Sequence, residues 1–265
     1  MTEPDGESGA APDRPGVRVT LARAVRLMRE HPRESMLPLA VVQVPLVLGT
    51  IVATVLLYNT AFADEVYPRG GLVGVDERGA PLFAVVMLAA IALLFSLVGW
   101  SATIVAAAGL AQGEPVSLSQ ALDPAFSRLG GLVVLVFLIL GGAVVLAFSI
   151  VGLLALPYLA IRFGVAFQVY LLEGAGPIAA LGGSWAVMKG NMLRLLAIVL
   201  VGAGLALLLG VLVPAGLGPE DASRSTRIAV DALLQVFQGA FAIPAAVFAH
   251  AATTIYYLHI REAKT

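Results

Sequence analysis

The chain has 265 residues, 59% of them hydrophobic and only 12% charged, with a mean hydropathy of +0.94 and a formal net charge of -1. Soluble domains are nearer half apolar and a quarter charged, so this balance belongs to the bilayer class. The charge excludes a nucleic-acid partner, which needs a basic surface to displace phosphate counterions, and the lack of cysteine excludes disulfides, Fe–S clusters, thiolate metal sites and cysteine nucleophiles.

Residues 1–16, MTEPDGESGAAPDRPG, are polar and rich in Gly, Pro and acid, and read as a disordered cytoplasmic tail. They do not read as a signal peptide, because the first long apolar run begins only near Met36 and has spanning length. Residues 17–265 then read as a single integral membrane domain. A span needs about 20 apolar residues, and six runs meet that length: 36–58, 82–110, 132–156, 157–173, 192–213 and 228–258. The boundary between the third and fourth is placed at Leu156-Pro157-Tyr158, since proline disfavours helix in the residue before it and suits the first turn of the next. Pro244 predicts a kink in the sixth.

Basic residues set the orientation. Arg14, Arg18, Arg23, Arg26, Arg29, Arg33, Arg128, Lys189, Arg194, Arg261 and Lys264 fall on one side, against Arg69, Arg78, Arg224 and Arg227 on the other. Such residues stay cytoplasmic, which puts both termini inside and the protein in the cell (inner, cytoplasmic) membrane.

Three short segments precede the odd-numbered spans: VTLARAVRLMREH, VSLSQALDPAFSRL and GPIAALGGSWAVMKGN. Leu21, Val25 and Met28 share a helical face, as do Leu118, Leu122, Ala125 and Leu129, and Ile178, Leu181, Trp185 and Met188. Ala24-Val25, Ala121-Leu122 and Ala180-Leu181 align in register. The expected fold is therefore all-α: a polytopic helical bundle of about six transmembrane helices, with three amphipathic interfacial helices in a weak threefold repeat.

The stretch from Leu171 to Leu200, LLEGAGPIAALGGSWAVMKGNMLRLLAIVL, resembles the signature of a six-span membrane-protein family. That family includes the membrane domain of some glycerophosphoryl diester phosphodiesterases and many free-standing relatives. The pattern is met by Glu173, Gly174, Ala180, Leu181, Ser184, Trp185, Lys189, Gly190 and Asn191, and IYYLHIRE (Ile255 to Glu262) looks like the family's closing Tyr-Tyr and basic cluster. Gly182-Gly183 depart from it, standing where relatives often carry arginines. The resemblance implies the six-span layout. It transfers no enzymatic activity, because the phosphodiesterase catalytic domain has no counterpart in these residues.

Candidate polar contacts lie within the spans. Arg162 and Asp231 would pair with each other or snorkel, with a substrate or ion contact as the alternative. Asp231, Gln235 and Gln238 recur at helical spacing and would bond neighbouring helices or line a water-filled path. His250, Gln43 and Gln168 fall at comparable depth, as packing groups or a proton relay. Glu173 would pair with Lys189 or cap the helix starting near Pro177, and Trp185 would anchor at the interface. The glycine clusters near Gly99 and from Gly202 to Gly210 supply close helix approach. With only His31, His250 and His259 and no paired spacing, neither a metal nor a cofactor is expected.

These residues lead to the expectation of a non-enzymatic integral membrane protein that organises or assists membrane components, its partners being membrane lipids and other membrane proteins. A small-solute transporter or permease subunit, using a polar path near Arg162, Asp231 and Gln238, is the alternative. An intramembrane enzyme would need paired acids or a nucleophile–base pair at common depth.

Overall fold

A computed structural model describes residues 16–59, 80–212 and 224–263, with the backbone alone at 53–59, 80–86, 206–212, 224, 225, 227, 228 and 231. The expected tail at 1–16 lies almost wholly outside the described residues. Every regular element among the described residues is a helix: α1 (Val17–Glu30), α2 (Pro32–Asn59), α3 (Ala80–Gln112), α4 (Leu118–Ser127), α5 (Leu129–Ala147), α6 (Ile150–Arg162), α7 (Ala166–Leu172), α8 (Pro177–Met188), α9 (Met192–Leu212) and α10 (Arg224–Glu262). In hydrocarbon each backbone N–H and C=O must find its partner within the protein, and helices of Leu, Ala, Val and Gly meet that demand locally.

Among the described residues, five helical stretches are long and apolar enough to cross a membrane: Pro32–Val52, Met87–Gln112, Leu129–Ala147, Ile150–Leu172 and Ala232–Glu262. The pair α8 and α9, bent by 106° at the junction, makes a sixth if counted as one span. The chain is thus an all-helical bundle of multi-pass membrane type. α2 runs through Pro38 and Pro45, and α10 through Pro244.

Two expected boundaries move. The third and fourth spans run 129–147 and 150–172, not 132–156 and 157–173. The reversal falls at Phe148-Ser149, where the Ser149 hydroxyl accepts a hydrogen bond from the Gly152 amide at 2.9 Å. A Cβ on Gly152 would collide with the Leu146 carbonyl, so only glycine permits the turn to close there. Pro157 instead sits inside α6, a placement that membrane helices tolerate.

On the short helices it is mostly small residues that turn inward. On α1 the buried residues are Thr20, Ala24 and Leu27, with Leu21 and Met28 packed at the margin and Val25 exposed. On α8 they are Ala180, Ser184 and Met188, while Ile178 is 76% exposed. The cause is the solvent. A large apolar side chain gains little by leaving lipid for protein, so small residues that allow close approach take the inward face. The register-matched alanines, Ala24, Ala121 and Ala180, are all fully buried. α4 starts on a capping box in which the Ser117 hydroxyl and the Gln120 side chain satisfy one another's backbone amides.

The core runs along α10, which packs on α2, α3, α9 and α1. Close approach again rests on glycine: a Cβ on Gly99 would press on Leu39 and Val42 of α2, and one on Gly202 would sit 3.1 Å from the Ala249 Cβ of α10. Arg23 of α1 meets His259 of α10 through Nη1 and Nε2 at 2.8 Å and donates from Nη2 to the Ala111 carbonyl at 3.1 Å. The first and last helices therefore finish at the same end of the bundle. α5 and α6 project the other way as a hairpin, its turn flanked by exposed Phe148, Ile150 and Val151.

Candidate functional site

The polar interruption at Glu173–Asn191 and the closing Tyr-Tyr of α10 meet in space. The Tyr257 hydroxyl donates to Glu173 Oε1, and Arg261 Nε lies 3.7 Å from the same oxygen. The Tyr256 hydroxyl donates to the Asn191 carbonyl at 3.2 Å. Both tyrosine side chains are essentially fully buried, so their ring area and their hydrogen bonds are committed together. Glu173 accordingly neither pairs with Lys189 nor caps α8; the cap position is Gly176, and no side chain bonds there.

The last turn of α8 explains much of the motif. Its four final carbonyls have no helical donor, and each finds another. Arg162 Nη1 donates to the Trp185 carbonyl at 3.0 Å, the Lys189 amide to Ala186, the Asn191 side chain to Val187 at 3.0 Å, and the Asn191 amide to Met188 at 3.0 Å. Gly190, at φ +80°, turns the chain between these donors and into α9. Gly174, at φ +71°, makes the opposite turn beneath the Arg128 guanidinium, which donates to the Tyr170 carbonyl while the Tyr170 hydroxyl returns a bond to the Arg128 carbonyl. Ala180 is buried, Leu181 packs at the core margin, and Lys189 is exposed.

Arg162 lies where α6 ends. Nε donates to the Tyr158 hydroxyl at 3.0 Å, and the guanidinium stands 4.6 Å from the Trp185 ring centroid and 5.3 Å from that of Tyr158. The Ser184 hydroxyl donates to the Arg162 carbonyl at 2.8 Å, so α6 and α8 are tied in both directions. Trp185 also meets Tyr158 and Phe163 edge-on or tilted at about 6 Å. Of the expected Arg162–Asp231 pair, only the Arg162 side chain is described. The Asp231 side chain lies outside the described residues, and its backbone stands roughly 39 Å along α10 from Tyr257 at about 1.5 Å per residue. Arg162 is only roughly 16 Å along its own span from Glu173, the residue that Tyr257 touches.

The remaining candidates gather elsewhere. Gln238 and His250 line a cavity of about 510 Å³ between α3, α9 and α10, whose walls also include Trp100, Phe241, Thr253 and several alanines. The Trp100 and His250 rings lie 5.9 Å apart. Gln168 donates to the Thr253 hydroxyl at 3.2 Å, which brings Gln168 and His250 to one neighbourhood. Gln43 is half-buried on α2 and Gln235 on α10. Arg162 does not line this cavity. Among the described residues no three His, Asp or Glu side chains converge as a metal site.

Sequence reasoning placed Tyr256 and Tyr257 only in the closing motif and Arg128 only among the orienting cations, gave no role to Thr253, and did not foresee the Arg23–His259 contact. The tyrosines carried a signal, two adjacent rings with polar tips at the end of a span. The long-range pairing of Arg23 with His259 left none in the residue spacing. Comparison of the chain with family models, curated proteins and solved structures finds no match in any of the three.

Proposed function

We propose that this chain is a non-enzymatic integral membrane protein of the cell membrane, with both termini cytoplasmic, that organises or assists other membrane components through contact with lipid or partner proteins. The observation that carries this reading is the use to which its polar groups are put. Glu173, Asn191, Arg162, Tyr256 and Tyr257 hold helices to one another, while the α5–α6 hairpin offers apolar side chains outward. The resemblance of Glu173–Asn191 to the phosphodiesterase membrane domain points the same way, as a membrane module separable from catalysis. The same reading takes the short-long-long order of helices, three times over, as an internal repeat whose interfacial members are α1, α4 and α8.

A second reading, a transporter or permease subunit, is favoured by the cavity that reaches Gln238 and His250. Single introduced cysteines separate the two, because the native chain has none. A membrane-impermeant thiol reagent that labels only the loops and interfacial helices, and leaves cysteines at Ala203 and Ala246 untouched, fits the organising reading. Labelling at Ala203 and Ala246 in intact vesicles would replace it with a hydrated pathway.

A further inference from the structure

We propose that Arg162, framed by Tyr158, Phe163 and Trp185, binds the phosphate of an anionic membrane phospholipid. The inference rests on the lipid-contacting reading above and names its ligand. Arg162 lies within the Ile150–Leu172 span, where an ionised side chain is costly and needs partners. Both of its hydrogen-bond partners are neutral, a phenol and a backbone carbonyl. Among the described residues no carboxylate meets the Arg162 guanidinium, so none balances its charge. The C-terminal carbonyls of α8 supply only a fraction of a charge.

What remains of the guanidinium is a defined donor edge. Nε and one Nη1 hydrogen are used, leaving the second Nη1 hydrogen and both on Nη2. Two oxygens of a phosphate accept from such an edge together, which a lysine ammonium does not reproduce. The Trp185 and Tyr158 rings fix its plane from the sides. These two rings are 41% and 43% exposed, so the frame opens on the outer surface of the bundle. Trp185 stands on α8, which the reading above places in the membrane interface, where amphipathic rings meet phospholipid headgroups. A headgroup phosphate and a free phosphate share this chemistry, and the two sources are separable.

The chain has two tryptophans, Trp100 and Trp185. In a Trp100→Phe background, the purified full-length protein in neutral detergent is titrated with brominated phosphatidylglycerol, with brominated phosphatidylcholine, or with inorganic phosphate, and Trp185 fluorescence is read. Quenching by the anionic lipid is expected at about tenfold lower lipid than by the zwitterionic one. Arg162→Gln should bring the two curves together, and Arg162→Lys should keep part of the preference. Inorganic phosphate that abolishes the preference without lipid of its own assigns the site to free phosphate. Coincident lipid curves in the chain bearing Arg162 overturn the proposal whether or not the glutamine variant folds, and so does a preference that survives Arg162→Gln. The cysteine map reports on the organising role independently, so neither failure is mistaken for the other.

Discussion

At one end of the bundle, Tyr256, Tyr257, Asn191, Glu173 and Arg162 tie α6 to α8 and the ends of α7 and α9 to α10, through hydrogen bonds between named atoms. At the other, the α5–α6 turn presents Phe148 with 88% of its surface uncovered, beside Ile150 and Val151 in a similar state. Both regions are apolar in composition, yet only one is fixed. Lipid solvates a leucine or phenylalanine about as well as protein does, so apolar area alone holds no two helices together. What specifies the arrangement is close backbone approach and polar groups with nowhere else to bond. The tied end has both, in Gly131 beneath the Tyr170 ring and Gly183 against Val169 as much as in the hydrogen bonds. At the hairpin turn both stay local, Gly152 against the Leu146 carbonyl and the Ser149 hydroxyl on the Gly152 amide, so the exposed rings there meet lipid or another helix.

The contrast breaks most sharply at Tyr256. Removing its ring opens a cavity among α10, α9 and the α8–α9 turn and leaves the Asn191 carbonyl with the Leu195 amide as its remaining donor. Tyr256→Ala should cost about 3–5 kcal/mol, read as a large fall in the unfolding midpoint of the detergent-solubilised protein. Gly190→Ala tests the backbone instead of the packing. At φ +80° an added Cβ is strained, and the loss should be about 1–2 kcal/mol by the same measurement. Gly204→Ala, at a helical glycine with open space around it, should be free of that loss. Tyr257→Phe removes only a hydroxyl. Glu173 keeps Arg261 nearby and a third of its side chain in solvent, so water replaces the donor and the cost should be about 1 kcal/mol.

Much of this architecture was legible in the sequence, and the residues show why the rest was not. Spanning length and charge asymmetry are properties of whole segments, so α2, α3, α9 and α10 fall close to their expected places. The hairpin turn is a local competition between Pro157 and the Ser149–Gly152 cap. Proline's preference for the start of a helix is strong in water, but a membrane helix absorbs it, and the steric demand at Gly152 decides. The apolar faces of α1 and α8 did not say which side turns inward, because hydrophobicity ranked against water does not order Ile178 and Ala180 when the outside is lipid. Within the site, the motif residues were named but their geometry was hidden. Nothing in the spacing says that Asn191 caps α8 with side chain and amide together, or that Glu173 reaches forward to α10 and not back to Lys189. Long-range pairings of this kind depend on helix rotation, which apolar periodicity in a membrane fixes only loosely.

The smallest expected effect sharpens the comparison from its other side. Phe148 stands at the turn between α5 and α6, and its deletion removes almost no contact with the rest of the chain. In detergent, Phe148→Ala should change stability by no more than about 0.5 kcal/mol, the range of surface positions without a special role. The same substitution in Tyr256 is expected to cost several times that, although the two rings are of similar size, so the pair measures what protein contact adds over lipid contact. Should Phe148→Ala prove as damaging as Tyr256→Ala in the purified protein, the hairpin turn would be covered in solution by something other than detergent. A second copy or a tightly held partner would then have to be sought on α5 and α6. Loss of stability confined to the native membrane, with none in detergent, would instead point to a partner left behind on extraction.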